Sequence, residues 1–399
     1  MALSTPTRNR IMLSGVGLST FLTLVHATND AFTSMLAALL PTLQVRFSLS
    51  ETVLALLVAT LSFSSSVTQP LFGALSDRLG RRLVGSLGIV LSSSLLSLMA
   101  VAPSFWLLLI VLFVGGLGSA AFHPSGTSLV RHGAGRHKGL AVGIFSAGGT
   151  LGLALGPVII LWVVANLGTG YAPLLMIPGV ILGTLMYIVT PPQERAPKHQ
   201  RPKLFDAALF AGPVGVLCLA GIARSIPFVT FTNAIPLWLV SVHDVSRDGA
   251  LIGWTLATFS FAAGLGGILA GALASRLSRI GVVVGAMLLA VPMLFVVFTL
   301  TPGTPLFFVC VALSGALVNG SLPLLIISAQ DLAPHAMATA SGMLMGFTWG
   351  TAGLLYVFVG KLQEAFGIQA AMSVTYLFMI PAAILAFGVL RRHREALAA

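Results

Sequence analysis

Charge is what this chain has least of. Asp, Glu, Lys and Arg make up 8% of its 399 residues, and only 10 of them are acidic. A soluble domain carries roughly 25% charged residues, so an ordinary soluble enzyme is excluded. Two cysteines, Cys218 and Cys310, both lie in apolar runs. They offer neither a disulfide framework nor a metal motif. Alternating segments of ~10 residues, the mark of a membrane β-barrel, are also missing. What is present is apolar: 57% hydrophobic residues with a mean hydropathy of +1.01, in runs long enough to cross a bilayer at ~20 residues each. These features predict an all-α integral membrane protein. The basic N-terminus followed by an apolar run is read as a first span rather than a cleaved signal, because the run is long and carries polar residues.

The net charge of +11 does not point to nucleic acid, because the basic residues fall in short clusters between apolar runs. The clusters are Arg8 and Arg10; Arg78, Arg81 and Arg82; Arg131, Arg136 and Lys138; Arg195, Lys198, Arg201 and Lys203; Arg276 and Arg279; and Arg391, Arg392 and Arg394. The intervening connections hold only Arg46, Arg247 and Lys361. Alternation of rich and poor loops is the positive-inside pattern. It puts both termini in the cytoplasm and requires an even number of spans. Pro, Gly and charge mark twelve: 11–40, 51–76, 83–101, 105–130, 139–165, 172–190, 206–240, 250–276, 281–300, 305–330, 336–360 and 368–390.

"PPQERAPKHQRPK", residues 191–203, is a cytoplasmic linker by composition. It divides the chain into six-helix bundles at 1–190 and 204–399. The halves look like copies. "GALSDRLGR" from Gly73 and "GALASRLSR" from Gly271 agree at six of nine positions, 198 residues apart, and Pro124 pairs with Pro323 at an offset of 199. Parallel six-span repeats build a large group of secondary transporters with the substrate site between the halves.

Three polar residues interrupt the first span: His26, Asn29 and Asp30. His26 and Asp30 are four apart and share a helical face. Arg224 sits near the middle of the seventh span, 198 residues after His26. A charge at the bilayer centre costs at least ~2.5–3.5 kcal/mol, so Asp30 and Arg224 are expected to face a wet cavity or each other. Asp30 is expected to carry the proton, tuned by Arg224 and His26. The structural alternatives are a cross-half Asp30–Arg224 ion pair, a helix-bridging role for His26, and a His123 that satisfies carbonyls freed by Pro124. Phe228 and Asn233, on the span of Arg224, join His26, Asn29, Asp30, His123 and Arg224 as candidate substrate contacts. Proton coupling is assigned to Asp30 and His123. A desolvated guanidinium suits a carboxylate or phosphonate, which favours an anionic or zwitterionic substrate.

"GALSDRLGRR", Gly73 to Arg82, closes the second span. Gly73 permits close helix approach, Gly80 a tight turn, and Asp77 can pair with Arg78, Arg81 or Arg82 as a conformational latch. Ser275 replaces the acid in the second half, so a latch stronger in the first half is expected. "GGTLGLALGP" in the fifth span carries Gly152, Gly156 and Pro157: a smooth packing face and a bend. These residues are the candidate gating elements.

The motif from Gly73 to Arg82 resembles the signature of the major facilitator superfamily. "HATND" in the first span, "AAFHPSG" from Ala120 and "ARSIPF" around Arg224 resemble its fosmidomycin-resistance family, with Ser125 where that family commonly has Glu. The resemblance implies the major facilitator fold and a proton-linked exporter of a small polar or drug-like molecule. The alternative is an uptake symporter of a small organic anion. Expected partners are a small-molecule substrate, protons and the lipid bilayer. No cofactor, metal, catalytic residue or nucleic acid is expected, and the protein is expected to act as a monomer.

Overall fold

A computed structural model describes residues 12–134, 138–192 and 207–393, and every regular element among them is helical. The basic residues at 8, 10, 136, 195, 198, 201, 203 and 394, and the predicted linker from 193 onward, lie outside the described residues. Twelve long helices follow in chain order. They are α1 (Gly15–Phe47), α2 (Glu51–Leu79), α3 (Arg81–Val101), α4 (Phe105–Gly133), α5 (Lys138–Asn166), α6 (Thr169–Val189), α7 (Pro213–His243), α8 (Ala250–Ala274), α9 (Arg279–Val297), α10 (Pro305–Leu332), α11 (Thr339–Phe366) and α12 (Ile368–Arg392). Among the described residues, eleven helices are long and apolar enough to cross a membrane. The twelfth is α1, whose 33 residues suffice in length. Its hydropathy is lowered by His26, Asn29 and Asp30, so the least apolar span carries the candidate site.

Two boundaries differ from expectation for backbone reasons. α1 continues through Pro41 and ends only where Ser48 turns left-handed, with φ of 53°. α7 begins at Pro213 rather than 206, because Gly212 is extended before a proline at the first helical position. A separate short helix, Ala207–Ala211, precedes it.

Small residues set the helix spacing, as expected where lipid supplies no hydrophobic drive between helices. The glycine face of α5 lies against α1. A Cβ on Gly152 would strike the Ala27 carbonyl, and one on Gly156 the Ala31 carbonyl and Ser34. Gly116 of α4 packs on Ser64 of α2, and Gly315 of α10 packs on Phe259 of α8. That pair of contacts shows the repeat in three dimensions. Gly73 is different: a Cβ there would meet Pro124 at an ordinary 3.6 Å, so close approach does not require glycine at 73.

The six-helix bundles meet along α2–α11 and α5–α8. Gly353 lies on Ser62 and Gly350 on Val67, while Gly253 meets Val158 and Gly264 meets Thr150. Both α2 and α11 contain one π-helical turn, Phe63–Val67 and Met343–Phe347, and these two turns touch. A π-turn widens the helix locally, here at the seam between bundles. At the end of the same seam, Glu364 accepts from the Thr52 amide at 2.9 Å.

Candidate functional site

The polar stripe of α1 is buried inside its own bundle. Asn29 is fully buried and uses both amide hydrogens and its carbonyl oxygen. Its Nδ2 donates to Asp30 Oδ1 at 3.0 Å and Ser119 Oγ at 2.9 Å, and its Oδ1 accepts from Ser92 at 3.1 Å. One amide thus ties α1, α3 and α4 together.

Asp30 meets two histidines. His26 Nε2 lies 3.2 Å from Oδ2, and His123 Nε2 lies 3.2 Å from Oδ1. His26 donates from Nδ1 to the Phe145 carbonyl at 2.7 Å and stacks on that ring at 4.1 Å. His123 donates from Nδ1 to the Ser119 carbonyl at 2.9 Å. The proline-freed carbonyl would be that of residue 120, so His123 does not serve it. A Cβ on Gly149 would come within 2.5 Å of His26 Cε1 and 2.6 Å of Asp30 Oδ2. Glycine at 149 is therefore what lets α5 close over the pair. The His123 side chain is 26% exposed against 10% for Asp30, making it the most accessible member. The three donor atoms lie within 4.8 Å of one another. Each carboxylate oxygen faces a different histidine at ion-pair distance.

Arg224 does not pair with Asp30, so of the alternatives the cross-half ion pair is not formed, and the expected tuning of Asp30 by a neighbouring Arg224 is corrected. Its guanidinium donates from Nη1 to the Val318 carbonyl at 3.0 Å and Asn319 Oδ1 at 3.2 Å, and from Nη2 to Ser225 at 3.1 Å. It lies 5.8 Å from the Trp349 ring centre, and its Nε has no hydrogen-bond partner among the described residues. Arg224 is fully buried, yet no carboxylate among the described residues is within 4.0 Å of it. The reason lies in the repeat. His26 and Arg224 occupy equivalent places, and each bonds within its own half, His26 to Phe145 of α5 and Arg224 to Val318 and Asn319 of α10. Ser119 on α4 and Val318 on α10 are likewise equivalent, 199 residues apart. Phe228 is buried against Trp349 at 4.5 Å and Phe259 at 5.2 Å. Asn233 spends its amide on the Val229 carbonyl one turn back.

At the other charged cluster, Asp77 pairs with Arg81 at 3.0 Å, and Arg81 also reaches His132 at 3.3 Å. Arg82 donates to the Thr190 carbonyl and covers Tyr187, while Arg78 is exposed. Gly80 makes the α2–α3 turn at φ of 105°. In the second half Arg279 pairs with Asp331 of α10 at 2.7 Å. Arg279 matches Arg81 and Asp331 matches His132, so the acid missing at Ser275 has moved to the neighbouring helix. The expectation of a latch stronger in the first half is corrected accordingly: each half carries one such ion pair.

Ser92, Ser119, Phe145, Gly149, Asn319, Trp349 and Asp331 escaped the sequence reading. Ser119 stands one turn before His123, and Asp331 falls at the repeat offset from His132. Those were the available signals. For the Phe145 carbonyl there was none, since any residue supplies one.

Comparison with known proteins agrees with this architecture. The profile of the Major Facilitator Superfamily matches residues 22–353. The chain is 25% identical to the Fosmidomycin resistance protein of Escherichia coli (strain K12), over 95% of this chain and 94% of that protein. It is 29% identical to the MFS-type transporter YfnC of Bacillus subtilis (strain 168), over 91% and 90%. The Hexuronate transporter of Escherichia coli (strain K12) is 23% identical, over 89% of each. Among solved structures, a bacterial homologue of the human lysosomal transporter Spinster superposes with a TM-score of 0.76 at 19% identity, covering 95% of this chain and 97% of that one. Span length, paired bundles and match to the superfamily profile converge: the chain belongs to the Major Facilitator Superfamily, and is an integral membrane transporter rather than an enzyme.

Proposed function

We propose that this protein is a proton-coupled exporter of a small anionic or zwitterionic compound, working as a monomer in the bacterial inner membrane by alternating access. The observation that carries the reading is Arg224. A guanidinium buried at mid-span with no carboxylate among the described residues within 4.0 Å is a charge awaiting its counterion, and a substrate acid group would supply it. Phe228 and Asn233 lie on the same helix toward the far end. Asp30 and His123 are the proton-coupling groups, with His26 tuning Asp30. Gly73, Asp77, Arg78, Gly80, Arg81, Arg82, Gly152, Gly156 and Pro157 are the gating elements.

Antiport requires proton and substrate to exclude one another. A zwitterion meets that requirement: its acid group sits at Arg224 while its cationic group competes with protons for Asp30. The near full-length likeness to the Fosmidomycin resistance protein supports export. A second reading, uptake of a small organic anion by proton symport, is favoured by one finding. Asp30 and Arg224 are not in contact, so a simple anion at Arg224 does not displace the Asp30 proton and instead attracts it. The Hexuronate transporter is among the relatives.

The sign of lumenal pH change separates the two. Purified protein is placed in liposomes at equal pH inside and out, and fosmidomycin or a hexuronate is added outside. Antiport alkalinises the lumen as substrate enters. Acidification establishes symport and overturns the exporter reading.

A further inference from the structure

We infer that the His26–Asp30–His123 triad holds two protons at once, one in each nitrogen–oxygen contact, with Asp30 ionised between two imidazolium rings. This rests on the reading of these groups as the proton-coupling site, and it adds the number of protons. It also makes His26 a coupling group equal to His123 rather than a substrate contact.

The argument counts donors. A carbonyl oxygen only accepts, so the 2.7 Å contact of His26 Nδ1 with Phe145 and the 2.9 Å contact of His123 Nδ1 with Ser119 each need a hydrogen on the nitrogen. A neutral imidazole carries one N–H. Both Nε2 atoms would then be bare, and each faces a carboxylate oxygen at 3.2 Å. An ionised carboxylate also only accepts. Two contacts between bare nitrogens and an ionised carboxylate in a buried site are repulsive, and each becomes an attractive ion pair when one proton is added.

Neighbouring donors do not fill the gap. Both Asn29 amide hydrogens go to Asp30 and Ser119, and the Ser92 hydroxyl goes to Asn29. Among the described residues His26 Nε2 has no hydrogen-bond partner, and Asp30 Oδ2 at 3.2 Å is the charged atom it faces. Gly149 closes the α5 side. The titratable groups facing Asp30 are His26 from its own helix and His123 from α4; α3 presents Ser92, α5 presents the Phe145 carbonyl and Gly149, and Arg224 is turned into α10. One proton repairs one contact and leaves the other bare. Moving the His123 hydrogen to Nε2 places a bare Nδ1 against the Ser119 carbonyl at 2.9 Å, leaving only the 3.4 Å Ser119 hydroxyl as a donor.

The triad therefore changes from −1 to +1 when it fills. The stacked Phe145 face stabilises a positive His26, and the exposed edge of His123 admits solvent.

Nitrogen-15 NMR of histidine-labelled, full-length protein in lipid nanodiscs tests this without any substrate. His26→Asn and His123→Asn variants serve only to assign two of the chain's eight histidines. Expected at the acid end of a titration are two side chains with both ring nitrogens protonated, each becoming the Nδ1–H tautomer at the alkaline end. A His26 or His123 that stays neutral throughout, an Nε2–H tautomer at His123, or signals that change when a chelator is added would overturn the inference. Flux measurements keep the two readings apart. Two charged imidazoles without proton-coupled flux refute the coupling role and leave the proton count. Coupled flux with one charged imidazole does the reverse.

Discussion

Gly149→Ala is the most economical perturbation of the triad, because it changes none of its members. The added methyl would sit 2.5 Å from His26 Cε1, 2.6 Å from Asp30 Oδ2 and 2.7 Å from His26 Nε2. That is roughly 1 Å inside the ~3.5 Å separation of atoms in favourable contact. His26 cannot simply swing aside, since its Nδ1 is held by the Phe145 carbonyl at 2.7 Å and its ring is stacked at 4.1 Å. Either the His26–Asp30 contact opens or α5 lifts from α1. Forcing a methyl into a packed interior costs about 1–3 kcal/mol, which a folded protein can tolerate. The expected variant inserts normally and loses thermal stability modestly. Its substrate exchange without a proton gradient persists, while gradient-driven transport falls at least tenfold. Gly143→Ala is the control, because a Cβ there meets nothing within 4 Å. Solid-state NMR of His26 and a proteoliposome flux assay read the two effects. Wild-type coupling together with unshifted His26 resonances in Gly149→Ala would refute the packing argument.

Asp30→Asn is expected to abolish gradient-driven transport while sparing exchange; normal pH dependence in that variant would remove Asp30 from the coupling site. Because Asp30 and Arg224 have separate partners, Arg224→Gln and Asp30→Asn should combine additively in thermal unfolding, within about 0.5 kcal/mol; mutual rescue would restore the cross-half ion pair. Arg224→Lys keeps the charge but loses the planar fork, so anion affinity should fall by about 1.5–3 kcal/mol with the preference for anions retained, as read by competition binding. Asp77→Asn and Asp331→Asn each remove one partly exposed ion pair, worth at most ~1 kcal/mol of stability; a shifted balance of inward- and outward-facing states in spin-label distances is expected, and an unchanged balance would reduce both to surface pairs. A cysteine at Lys198 should label only from the cytoplasm; labelling from outside would reverse the predicted topology.

The sequence by itself determined the class of protein, the number of spans and the repeat. Each follows from local or additive properties: run length against bilayer thickness, and self-similarity at one offset. It also singled out His26, Asp30, His123 and Arg224, because an ionisable group in an apolar run is conspicuous wherever it ends up pointing. Direction was what it left open. The offset that makes His26 and Arg224 equivalent is compatible with their facing each other or facing their own bundles. Only packing decided for the second, through helix-to-helix contacts such as the Ser119 hydroxyl and the Val318 carbonyl. The move of an acid from the position of Ser275 to Asp331 was hidden for the same reason: an ion pair needs two charges close in space, not at matching places in a motif. The Phe145 carbonyl, which fixes the His26 tautomer, is the extreme case. A backbone oxygen has no sequence identity, and tertiary structure alone brings it within 2.7 Å of the ring.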